Sequence, residues 1–88
     1  MAIEFDPAKD AANLEKHGIS LADAQAVLSD PLALTVEDLG AIGERRYVTI
    51  GVGAAGDPLV VVYTERGGRY RLISARRATR KERKTYEG

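Results

Sequence analysis

"PLVVVYTERGGRYRLISAR", residues 58–76, decides the fold. Two runs rich in Val, Ile, Tyr and Thr flank Gly67-Gly68, and such side chains suit a half-buried extended backbone. A two-residue hairpin turn takes positive φ at both central positions, which a glycine pair supplies without strain. The stretch therefore predicts two antiparallel strands. Upstream, "RRYVTIGVG" (45–53) has the same character, and "GAAGDP" (53–58) supplies the turn between it and the hairpin. "LALTVEDL" (32–39) alternates roughly as a half-buried strand does, with "EDLGAIGE" (37–44) as a looser turn. The expectation is a three-strand antiparallel meander with "LALTV" as a fourth member. "AIEF" (2–5) is a short apolar stretch suited to an edge strand.

Helical signals lie on either side. In "FDPAKDAANLEKHG" (5–18), Asp6 suits the N-cap, Pro7 the first turn and Gly18 the left-handed C-terminal cap. Ser20 with Asp23 resembles a capping box, and Leu21, Ala24, Val27 and Leu28 fall on one side of a second short helix that Asp30-Pro31 ends. Thr79-x-x-Glu82 is a full capping box and predicts a final helix from Thr79. The fold class is α+β: two N-terminal helices, a mainly antiparallel sheet of about four strands and a C-terminal basic helix, with the helices on one face of the sheet. Eighty-eight residues suggest one domain over 1–88.

Composition removes several chemistries. There is no cysteine and one histidine, so disulfides are excluded and no compact metal motif is available. No phosphate-cradling glycine motif or nucleophile elbow occurs. No run is long enough to cross a bilayer and "MAIEFDPAKD" lacks a signal pattern, so the chain reads as cytoplasmic, with no membrane partner.

The zero net charge conceals an asymmetry. Residues 1–44 hold two basic and nine acidic side chains, a net of −7, whereas residues 45–88 hold eleven and four, a net of +7. From Arg76 to Lys84, six of nine residues are basic. On a wheel of about 100° per residue, Arg80, Lys81, Arg83 and Lys84 occupy one arc of roughly 160°, leaving Ala78 and Tyr86 as the only apolar cover. A solvated basic helix is the plain structural alternative. The bias towards arginine, nine of eleven, favours a phosphate-facing surface, because the guanidinium fork matches phosphate oxygens. On the first helix, Lys9, Asn13, Lys16 and His17 fall within roughly 100° of arc, with Ala11 and Leu14 free to pack inward. That too can be an ordinary wet face. His17 stands at a helix C-terminus, where the dipole favours positive charge, and an imidazole beside two lysines is a plausible acid or base for phosphodiester chemistry.

These residues resemble those of the BrnT family, toxins of type II toxin–antitoxin modules. The matching segments are "FDPAKDAANLEKHGIS", "DPLALTVED", "GERRYVTIG" and "VVVYTERGGRYRLISARRATRKERKTYE", which together span nearly the whole chain. The resemblance implies a RelE-like α+β ribonuclease that cuts RNA without a metal or other cofactor and stops translation. It implies a BrnA-type antitoxin that binds operator DNA through its own domain and assembles with the toxin two to two. The implied chemistry is attack of a ribose 2′-hydroxyl on the adjacent phosphorus, which needs a base, an acid and cations around the phosphoryl oxygens. On this reading His17, helped by Lys16, moves protons, and Arg46 and Arg76 hold the transition-state phosphate. Lys9, Asn13, Arg77, Arg80 and Lys81 hold the RNA backbone, and Tyr86 either stacks a base or packs the last helix. The alternative is a non-catalytic basic module that binds nucleic acid or antitoxin in operon autorepression.

Overall fold

The computed structural model describes residues 2–40 and 42–88; Ala41, inside the looser turn expected over 37–44, lies outside them. The elements in chain order are β1 (Ala2–Glu4), α1 (Pro7–His17), α2 (Leu21–Ala24) continuing as a 3₁₀ turn (Gln25–Ser29), β2 (Leu34–Asp38), β3 (Arg46–Val52), β4 (Pro58–Arg66), β5 (Arg69–Arg77) and α3 (Arg80–Glu87).

The hairpin forms as expected, with Gly67 and Gly68 at φ 57° and 81°. β2, β3, β4 and β5 make antiparallel neighbours. The sheet has five strands rather than about four, in the order β1-β5-β4-β3-β2, and it is mixed: β1 runs parallel to β5 through Ala2–Arg69, Ile3–Tyr70 and Glu4–Arg71. A parallel neighbour needs a crossover through the rest of the chain, so no local sequence signal announces it.

β4 and β5 change register between Val62 and Tyr63. Tyr63 pairs with Leu72 and Val62 with Ser74, so Ile73 is the extra residue of a bulge. One face of the sheet carries Tyr47, Leu59, Val61, Tyr63, Leu72 and Ala75, which pack with Ile19, Leu21, Ala24 and Val27 into the core. Leu21, Ala24, Val27 and Leu28 do share the inward side, although the segment tightens from α-helix to 3₁₀ after Ala24.

Two expectations about helices are corrected. The helices do not all lie on one face. Val60 is 3% exposed yet outside the core cluster, and it is opposite Arg76, whose guanidinium holds Glu82 of α3. α3 therefore crosses the second face. α1 also presents the reverse of its expected side: Leu14 is 52% exposed and Ala11 is exposed, while Asn13 is 6% exposed and Asp10 and His17 are half-buried. The inward stripe is polar because the groups it meets are backbone. Asp10 Oδ1 accepts from the Leu21 amide at 2.6 Å. The Asn13 amide nitrogen donates to the carbonyls of Ile19 and Ala75, both at 2.8 Å, and its oxygen accepts from the Ala75 amide at 3.1 Å. β1 pairs with β5 only as far as Arg71, and the Asn13 side chain takes the place of a neighbouring strand where the edge would be bare.

Candidate nucleic-acid interface

The caps set the ends of the two helices that carry the basic groups. Asp6 accepts from the Ala8 amide at 2.8 Å, and Gly18 closes α1 at φ 70° with its amide on Leu14. This fixes Lys16 and His17 in the last turn. Thr79 and Glu82 cap α3 reciprocally, so Arg80 and Lys81 open that helix directly after β5.

Alternation along β5 puts Arg76 and Arg77 on opposite faces. Arg77 turns towards α1, where its Nη1 donates to the His17 carbonyl at 3.4 Å. The Arg77 guanidinium thus meets the backbone at the end of α1, whose last turn carries Lys16 and His17 and whose exposed carbonyls favour cations. Lys9 lies two turns back on the same side of α1, about 10 Å away, and is exposed. Among the described residues, Arg77, Arg80, Lys81, Arg83 and Lys84 have no carboxylate within 4 Å. With Arg45 and Arg69, which also stand in no such pair, they are the unneutralised part of the basic half.

Other predicted residues are placed apart from this group. Asn13 does not share the wet face of Lys9 and Lys16; its donors and acceptor are used inside the fold. Arg76 holds both oxygens of Glu82, at 2.8 and 2.9 Å. That pair, with the Thr79 amide, draws the Glu82 carboxyl down to about 2 and raises the Arg76 guanidinium further. Arg46 donates to Glu44 at 3.3 Å, and Glu44 also takes Arg66 at 3.0 Å. Arg46 is opposite Thr64 and Arg76 opposite Val60, four residues apart along β4 and so about 13 Å, on the face away from His17. The four residues assigned to chemistry are split between the two faces. Tyr86 packs the last helix: its hydroxyl donates to Asp30 at 2.5 Å and, with the Leu32 and Val52 amides, keeps that carboxyl below its ordinary range. The other tyrosines form an aromatic cluster in or against the core, Tyr63 stacked on Tyr47 at 5.6 Å and edge-on to Tyr70 at 5.3 Å. Among the described residues, no three His, Asp or Glu side chains are close enough to hold a metal ion, and no helix is long and apolar enough to cross a membrane.

A family model described as "Ribonuclease toxin, BrnT, of type II toxin-antitoxin system" matches residues 5–82. Among solved structures, the crystal structure of the Brucella abortus ribonuclease toxin, BrnT, is similar, with a TM-score of 0.67 at 25% identity over 91% of this chain and 99% of that one. Comparison with curated proteins gave no match.

Proposed function

The chain belongs to the BrnT family of ribonuclease toxins of type II toxin–antitoxin systems, and on that premise we propose that it is a cytoplasmic, metal-independent endoribonuclease that cuts RNA and so inhibits translation. The observation that supports the site is the Arg77 guanidinium on the His17 carbonyl at the end of α1, whose last turn carries Lys16 and His17, with the unpaired cations that open α3 following directly after β5. In this reading an RNA strand lies across the α1–α3 end. Arg80, Lys81 and Lys9 hold its backbone electrostatically. His17 takes the proton of a ribose 2′-hydroxyl or supplies one to the leaving 5′-oxygen, and Lys16 and Arg77 stabilise the charge growing on the phosphoryl oxygens. The transition-state role assigned to Arg46 and Arg76 on sequence passes to Arg77, because only Arg77 shares a face with His17. The chemistry is of the RelE type in its use of Lys and Arg. A BrnA-type antitoxin would neutralise the toxin in a two-to-two complex and carry the contact with operator DNA.

RNA cleavage by the purified chain in excess chelator, beside His17→Ala and Arg77→Ala and with folding checked by circular dichroism, tests this. Cleavage by the parent, lost by at least tenfold in each folded variant, is expected. Full-rate cleavage by His17→Ala would remove the proton-transfer role, and a folded parent that binds RNA without cutting it, with or without ribosomes, would make this a binding module.

A further inference from the structure

The second face of the sheet carries a pattern that RNA cleavage does not use. Its cross-strand rows follow from the register. Val36, Val48, Val62 and Ser74 form one row across β2, β3, β4 and β5. On one side of it runs Asp38, Arg46, Thr64, Arg71 and Glu4; on the other, Leu34, Ile50, Val60 and Arg76. α3 covers the last of these, since Val60 is 3% exposed. The valine row is left open, with Val36 64% exposed, and among the described residues five of the six exposed large apolar side chains lie between Leu32 and Ile42.

The arginine row is unfinished. Two buried side-chain atoms among the described residues lack a hydrogen-bond partner, Arg46 Nε and Thr64 Oγ1, and they belong to cross-strand neighbours. Thr64 is 1% exposed and flanked on its other side by Arg71. The carboxylates beside these arginines hold them loosely: Glu44 is 3.3 Å from Arg46, and Glu4 is 3.6 Å from Arg71. Half-exposed pairs of that length exchange partners at little cost. An oxyanion drawn over Thr64 would take its hydroxyl, the Arg46 Nε and a fork of Arg71.

We propose that this face is the seat of the protein partner that a type II module implies: an amphipathic acidic segment whose aliphatic side chains lie on Val36, Val48 and Val62 and whose carboxylates are taken by Arg46 and Arg71 over Thr64. An aliphatic centre with arginines at its margin is the make-up of a protein interface. Rings for unpaired bases to stack on, the usual complement of a single-stranded RNA surface, are missing from these three rows. The inference rests on the toxin reading, but it sets the partner's anchor on the face opposite His17.

The test measures affinity of the cognate antitoxin, purified separately, for the parent, Val36→Lys and Arg71→Ala, with RNA cleavage measured in parallel. Valine methyl NMR spectra of the parent are taken with and without antitoxin. Each variant is expected to bind antitoxin at least tenfold more weakly while cleaving RNA at the parent rate, and the methyls of Val36, Val48 and Val62 should shift on binding. Unchanged affinity with unmoved methyls would overturn the proposal and leave the toxin reading standing. Loss of RNA cleavage in Arg71→Ala with antitoxin affinity unchanged would assign the face to RNA instead. A parent that binds no antitoxin would overturn both.

Discussion

Replacing Asn13 with alanine removes three hydrogen bonds at a site 6% exposed and leaves the Ile19 carbonyl and both backbone groups of Ala75 short of a partner. A buried polar group left unsatisfied costs about 1–3 kcal/mol. Three of them, with some relief from water entering the gap, come to about 3–5 kcal/mol. For 88 residues the whole stability is on the order of 4–13 kcal/mol, so the change removes a large share of it. At about 4–8 °C per kcal/mol for a chain of this size, Tm should fall by at least roughly 12 °C. Thermal and urea unfolding followed by circular dichroism measure this. Leu14→Ala on the same helix is the control, since Leu14 is 52% exposed and its truncation should stay within about 0.5 kcal/mol. A further variant, Asn13→Asp, keeps the acceptor for the Ala75 amide but turns a carboxylate oxygen on two carbonyls, so it should be no more stable than the alanine variant at neutral pH. If Asn13→Ala shifted Tm by less than about 4 °C, or Leu14→Ala proved the costlier change, the account of α1 as held by polar contacts would be refuted.

Acid should release α3 before it unfolds the sheet. The Glu82 carboxyl is at about 2 in the folded chain against 4.5 ordinarily, so its contribution is full above 4.5 and disappears as pH falls towards 2. Amide exchange in residues 80–87 should accelerate over that window, and Glu82→Gln should show the fast exchange at neutral pH; pH-independent protection in the parent would contradict the coupling. Gly53→Ala places a Cβ 2.5 Å from Leu59 Cδ1, so the buried Leu59 side chain must shift. A loss of about 1–3 kcal/mol in urea unfolding is expected from this overpacking.

The meander, the glycine hairpin and the caps at Asp6, Gly18, Ser20 and Thr79 were legible because each is a local signal whose chemistry lies within a few residues. What escaped reading depended on distant groups. The polar inward side of α1 makes sense only once Ala75 and Leu21 stand opposite Asn13 and Asp10, and a hydrophobic pattern sends Leu14 inward instead. The β1–β5 pairing joins residues nearly seventy positions apart. In the basic tail the cations were visible but their faces were not. Arg76 and Arg77 are adjacent in sequence, and only the sheet decides that one meets Glu82 and the other the end of α1.

That decision goes back to Ile73. A strand keeps two faces by counting in twos, and one supernumerary residue advances the count by one for everything after it. Ser74 to Arg77 are therefore out of phase with Arg69 to Leu72. Were Ile73 paired in the ladder opposite Val62 rather than left out of it, Arg76 would point at α1 and Arg77 at α3, and Ala75 would bring its side chain to the face where Arg76 now meets Glu82. A single-residue deletion at position 73 would instead make the alternation regular and keep each arginine on its present side of the molecule.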